Sequence, residues 1–149
     1  MSTAVSSLLS SSPVDWQAVL DASIAALQGS TGTLHRLDPA DGMLKMVAYK
    51  GIPPHLIPVI GTIPVGKGIA GVAADRREPV ELCNLQVDLG GVAKDGARAT
   101  NVQGSLAVPC LQDDQVRGTL GVGLMVPHDF TEDEKSLLMT IGREVAGKL

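Results

Sequence analysis

The stretch from Ser105 to Val126 constrains this chain more than any other. Ser105 to Leu111 and Val116 to Val126 are extended runs on either side of Gln112-Asp113-Asp114-Gln115, a short polar reversal. In the second run Val116, Gly118, Leu120, Val122, Leu124 and Val126 alternate with Arg117, Thr119, Gly121, Gly123 and Met125. A period of two gives a strand with two distinct faces, so a hairpin with one apolar side is predicted. Gly121 and Gly123 leave the other side nearly bare. Glycine weakens a strand, so a pair on one face points to close approach by a helix, another backbone or a ligand, with a packed helix the favoured occupant.

A second hairpin is predicted upstream, where Thr31 to Leu37 and Met43 to Tyr49 flank the turn-forming Asp38-Pro39-Ala40-Asp41-Gly42. Helices bracket the strands. Ser12-Pro13-Val14-Asp15 reads as a start, with Ser12 as N-cap and Pro13 at the first helical position. Trp16, Val19, Leu20, Ile24 and Leu27 follow at helical spacing, and Gly29 is the stop. Thr131-Glu132-Asp133-Glu134 predicts a capping box for a last helix whose stripe is Leu138, Ile141 and Val145. Between the hairpins, the proline-rich Gly51 to Pro58 excludes strand or long helix. Thr62 to Val65 is briefly extended, Gly68 to Arg76 is a short helix, and Pro79 to Leu82 is strand-length. Gln86 to Gln103 is polar and without period, as functional or mobile loops are.

Consecutive hairpins with terminal amphipathic helices predict an α+β sandwich on an antiparallel sheet. Its 149 residues suffice for one domain. Residues 1–12, with six serines and neither Lys nor Arg, read as a flexible leader rather than a signal peptide or membrane span, and 13–149 as the domain. The expected setting is cytoplasmic.

Twelve Lys plus Arg against sixteen Asp plus Glu give a net charge of −4 with no basic run, which argues against nucleic acid. With Trp16, Tyr49 and Phe130 the only aromatics, base stacking and aromatic cages lack a platform, and any pocket is aliphatic. Cys83 and Cys110 are far apart with no CxxC, and His35, His55 and His128 lack ligand spacing. Neither a metal nor another cofactor is expected, and these imidazoles read as exposed or singly hydrogen-bonded.

Several segments, in order, resemble the landmarks of a GAF domain. They are Ile63-Pro64-Val65-Gly66-Lys67-Gly68-Ile69-Ala70-Gly71-Val72-Ala73, then Glu78-Pro79-Val80, Ser105 to Pro109, Val116 to Val122, and Phe130 to Glu134 with Leu137-Leu138. The resemblance spans the chain after Ser12. It implies a central antiparallel sheet of about six strands with the terminal helices on one face. On the other face it implies a small-molecule pocket roofed by short helices and a long loop, here Gly68 to Arg76 and Gln86 to Gln103. It also implies a sensory or regulatory role, dimerisation through the terminal helices and a possible signalling partner.

Other readings of the same residues are weaker. Gly66-Lys67-Gly68-Ile69-Ala70-Gly71 satisfies G-x-G-x-x-G, but the strand before it is short and contains Pro64, and βαβ units are missing. These glycines read as turn and packing positions, although a helix N-terminus preceded by Lys67 could hold a small anion. One GAF branch reduces free methionine-R-sulfoxide by thiol chemistry. The resemblance places its cysteines at Ala70 and Arg98 and its acid at Ser105, so the catalytic positions are absent. Cys110, on a face with Leu106 and Val108, reads as a buried inert thiol. The Asn-Lys pair of cyclic-nucleotide binders and the Cys-His of bilin binders are also missing.

The expectation is therefore a non-enzymatic sensor that binds a small polar or anionic molecule and signals through ordering of Gln86 to Gln103 and the terminal helices. The alternatives are a reductase and a GAF fold used only for dimerisation. Candidate ligand-binding residues are Gly68, Ile69, Lys94, Asp95, Arg98, Thr100, Asn101 and Ser105.

Overall fold

The computed structural model describes residues 3–82 and 102–149. In chain order the elements are α1 (Thr3–Leu9), α2 (Trp16–Ala26), β1 (Thr31–Leu37), β2 (Met43–Lys50), a 3-10 turn (Pro54–Leu56), α3 (Ile57–Ile60), β3 (Thr62–Pro64), α4 (Gly68–Arg76), β4 (Val80–Leu82), β5 (Gly104–Gln112), β6 (Gln115–Leu124) and α5 (Glu132–Ala146). Six strands form one sheet in the order β3-β2-β1-β6-β5-β4, and every pair is antiparallel. Both expected hairpins are present. Pairing of β1 with β6 joins them at the centre, which gives the predicted α+β architecture.

Local chemistry explains each reversal. At the β5–β6 turn Asp113 and Asp114 take φ of 51° and 64°, the left-handed pair that matches strand twist, which Asp tolerates better than most residues. At the β1–β2 turn Asp38 Oδ1 accepts from Ala40 N–H at 2.9 Å, Asp41 Oδ1 accepts from Met43 N–H at 2.9 Å, and Lys45 bridges both carboxylates at 2.8 Å. The alternation expected along β6 breaks near its start. Cys110 pairs with Gly118 and Leu111 with Val116, so Arg117 is a bulge and Val116 leaves the row of Gly118, Leu120 and Val122. The strand also ends at Leu124, leaving Val126 58% exposed.

One sheet face carries Leu34, Leu106, Val108, Cys110, Leu120 and Val122 against α1, α2 and α5. Leu20, Leu138 and Ile141 are fully buried there, and truncating such a side chain costs about 2–5 kcal/mol. Gly32 has no side chain because α2 comes close: a Cβ there would lie 2.7 Å from Ile24 Cδ1. At the start of α5, Thr131 Oγ1 accepts from Glu134 N–H at 3.1 Å and Glu134 Oε1 accepts from Thr131 N–H at 2.9 Å, the predicted capping box.

Three expectations at the N-terminal end are corrected. The segment read as a flexible leader contains α1, whose Val5 and Leu9 are 0% and 5% exposed in the core. A serine-rich composition concealed Val5, Leu8 and Leu9, which share one helical side. The next helix begins at Trp16, not Pro13: Asp15 is its N-cap and accepts from Ala18 N–H at 3.1 Å. The chain must turn between α1 and α2, which occupies Ser12 and Pro13, and a carboxylate suits the helix's positive end. Nor is Gly29 the stop. Gln28 takes φ 55° there, and Gly29 is small because a Cβ would collide with Val122.

Candidate functional site

Strand register builds the site. On the sheet face opposite the terminal helices, Thr33, Gly121 and Ala107 lie side by side across β1, β6 and β5. Thr31, Gly123 and Ser105 form the next row, and His35, Thr119 and Pro109 stand behind. Gly121 and Gly123 thus sit mid-floor, Gly123 between Thr31 and Ser105 and Gly121 between Thr33 and Ala107. Above them is a cavity of about 240 Å³. Ile52, Ile60, Ile63, Ile69 and Val102 supply aliphatic walls.

The favoured occupant of the bare face, a helix, is present only in part. α4 packs beside the glycines, with Ile69 and Ala73 against Val80, Val102 and Ala107, while Gly121 and Gly123 themselves line the cavity. The glycines also differ. A Cβ on Gly121 would meet Thr33 Oγ1 only at 3.4 Å, whereas one on Gly123 would lie 2.6 Å from both Thr31 Oγ1 and Val102 Cγ1.

The loop before α4 aims its first turn at this space. Gly66 and Gly68 take φ of 90° and 66°, conformations that disfavour side chains. Gly66 N–H donates to Gly71 O at 2.7 Å, and a Cβ on Gly71 would approach Pro64 O to 2.5 Å. The glycine motif therefore serves turn and packing, as its sequence context indicates. Lys67 is the helix N-cap without a side-chain capping bond, no acid occupies the first turn, and Lys67, Gly68, Ile69 and Ala70 all line the cavity.

His35, like Thr31, is a buried polar residue of the site. It is 1% exposed, lines the cavity, and its Nε2 lies 2.9 Å from Ile60 O. A carbonyl can only accept, so Nε2 carries the proton and Nδ1 is a bare acceptor. Among the described residues Nδ1 has no partner, nor has the hydroxyl of Thr119 directly opposite on β6. Burial holds the imidazole pKa below its ordinary value, opposed by the bond to Ile60.

Of the predicted ligand-binding residues, Gly68, Ile69 and Ser105 line this one cavity. Lys94, Asp95, Arg98, Thr100 and Asn101 lie outside the described residues, as does Cys83. Cys110 is on the opposite sheet face at 0% exposure, and burial pushes its thiol pKa up to about 12. Among the described residues no cluster could hold a metal ion, and no helix is long and apolar enough to cross a membrane. Sequence reasoning missed Thr31, Thr33 and His35. Their signal was present as polar residues at every second position of β1, interleaved with Gly32 and Leu34.

An antiparallel six-stranded sheet with helices behind it and an aliphatic cavity under a short helix defines an α+β pocket domain. The GAF domain profile matches residues 16–147, and the chain belongs to the GAF domain family. Among solved structures it is similar to the GAF domain of an Acinetobacter phosphoenolpyruvate-protein phosphotransferase, with TM-score 0.74 and 22% identity over 99% of this chain and 82% of that one. It is similar to reduced fRMsr of Staphylococcus aureus, with TM-score 0.69 and 22% identity over 97% of this chain and 92% of that one. It also resembles free methionine-R-sulfoxide reductase from Neisseria meningitidis in complex with its substrate, with TM-score 0.73 and 17% identity over 97% and 83% of the two chains. These likenesses show the fold. No curated protein matches the sequence.

Proposed function

We propose that this domain is a non-catalytic small-molecule receptor of the regulatory GAF type. The observation that carries the reading is the hollow above Gly121, a central strand position whose side chain could be accommodated but is absent. Glycine there sacrifices strand stability, and space for a ligand accounts for the sacrifice. The reverse faces of β1 and β6 carry Leu34, Leu120 and Val122 against the terminal helices. Occupancy of the floor is thereby transmitted through two strands to α2 and α5, where a second copy or a signalling protein reads it. Lys94 and Arg98 contribute polar contacts to the ligand.

Thiol reduction is the competing reading, favoured by the likeness to the reductases. Against it, Ala70 and Ser105, two positions where that branch is expected to carry a cysteine and an acid, line the cavity without either group. The test is native mass spectrometry of the purified protein followed by denaturing extraction, alongside Gly121→Val. A stoichiometric small molecule on the parent and none on the variant is expected. If both purify empty and no metabolite raises the melting temperature of the parent alone, the receptor reading fails. Turnover of free methionine-R-sulfoxide with a thiol reductant, lost in Cys83→Ser/Cys110→Ser, would establish the reductase instead.

A further inference from the structure

Strand β4 touches both sides of the sheet's work. It is three residues long, lies at one end of the sheet, and pairs with β5 alone among the described strands. Alternation divides its side chains between the two faces. Val80 and Leu82 pack with Ile69, Ala73, Val102 and Ala107, and three of these, Ile69, Val102 and Ala107, line the cavity. Glu81 takes the other face, paired with Leu106 of the helix-side core. Its carboxylate reaches the last helix: Oε2 accepts from Phe130 N–H at 3.2 Å, and Oε1 lies 2.6 Å from Lys135 Nζ. Phe130 is 5% exposed in the helix-side core and immediately precedes the Thr131 cap. Its ring meets His128 edge-on with centroids 4.7 Å apart, and His128 Nε2 lies 3.0 Å from the capping carboxylate of Glu134.

We propose that Glu81 is a positioning residue that couples the pocket wall to the start of α5, holding the helix entrance while β4 is seated and releasing it when a change at the wall shifts the strand. As a route for a ligand's signal, this rests on the receptor reading. One carboxylate grips two parts of the entrance, the loop amide of Phe130 and an ammonium one turn into the helix, so displacement of β4 acts on both together. Release leaves neither charge stranded. Lys135 has a second carboxylate on its own helix, Glu132 Oε1 at 3.0 Å, and the Glu81 side chain, already 34% exposed, passes to water. Both settings of the ion pair are therefore satisfied, as a two-state link requires. The route is also distinct from the glycine floor, which meets the helix layer through the reverse faces of β1 and β6, because β5 separates β4 from both.

A double-substitution cycle in the full chain, read by amide hydrogen exchange in NMR spectra with no ligand added, tests the link. Ile69→Val and, independently, Val80→Ala alter the wall, while Glu81→Ala cuts the connection. In Glu81→Ala the Phe130 amide is expected to exchange about tenfold faster or more, having lost its bond to a charged acceptor. The reporter of coupling is the Glu134 amide, which donates to Thr131 Oγ1 at 3.1 Å. Each wall substitution should change its exchange by about twofold or more in the parent and leave it unchanged in Glu81→Ala. Glu81→Gln and Lys135→Met, which spare an acceptor for Phe130, reduce that response without abolishing it, and they decide the matter if Glu81→Ala does not fold. Gly121→Val, acting through the floor, moves the reporter with or without Glu81. A merely structural Glu81 would loosen α5 and leave the wall effects at full size. Additivity of wall and link substitutions, or a reporter that ignores both wall substitutions in the parent, overturns the proposal. Neither result touches the receptor reading, which falls separately if the protein is empty and Gly121→Val changes nothing in ligand capture.

Discussion

Gly121 and Gly123 lie two residues apart on one strand face, yet alanine should have opposite effects on them. At Gly121 the added methyl meets Thr33 Oγ1 at 3.4 Å and Leu106 O at 3.8 Å, ordinary contacts, and otherwise projects into the cavity. Removing glycine's extra unfolded-state freedom then stabilises the protein by about 0.5–1 kcal/mol. For a chain of 149 residues that is a rise of about 1–4 °C in melting temperature. At Gly123 the methyl lies 2.6 Å from both Thr31 Oγ1 and Val102 Cγ1, on β-branched side chains that cannot easily turn away. Overpacking of this kind costs about 1–3 kcal/mol. Urea unfolding of Gly121→Ala and Gly123→Ala beside the parent measures both signs. Should Gly121→Ala lose as much stability as Gly123→Ala, the space over Gly121 is filled and the hollow-floor argument collapses.

Three further outcomes are expected. In a Cys83→Ser background, Cys110 should resist a thiol reagent in the native protein at pH 8 and react after unfolding, because a pKa of about 12 leaves roughly one thiolate in ten thousand; rapid native labelling would contradict its burial. His35 has a lowered folded-state pKa, so the unfolded chain binds more protons below its own value of about 6.5. Its contribution is complete above that pH and is lost as pH falls toward the folded value, and a urea midpoint series from pH 7.5 to 5 should show a slope that His35→Gln reduces. Deleting residues 1–9 should cost several kcal/mol, since Val5 and Leu9 are core residues; an unchanged urea midpoint would mean that α1 contributes nothing.

Local signals carried far in this sequence. The two hairpins, the short helix Gly68–Arg76 and the Thr131 capping box were legible because turn chemistry and periodicity act over a few residues. The bulge at Arg117 was not, since it depends on how β5 and β6 settle against each other rather than on either alone. Helix α1 was hidden for a related reason: seven residues have no stability of their own, and the packing that holds Val5 comes from elsewhere in the chain. At the site, Gly68, Ile69 and Ser105 could be named from resemblance to GAF domains, while His35 could not. Its importance comes from standing beside Gly121's strand and beneath Ile60, residues remote in sequence. The polar alternation of β1 shows that its second face is not solvent-like only after Gly32 and Leu34 are assigned to the helices.

Ser6 Oγ donates to Glu144 Oε1 at 3.0 Å, so the first helix lies against the last one within a few residues of each end. This adjacency makes the linear order of the elements separable from their spatial arrangement. A short glycine-serine link from residue 149 to residue 3, with new ends opened between Asp113 and Asp114, would present the same sheet, helix layer and cavity in a circularly permuted chain. The β5–β6 pairing would then close the longest loop in the molecule, where in the present order it closes the shortest. Such a permutant would slow the formation of that hairpin while leaving the contacts around the glycine floor as they are.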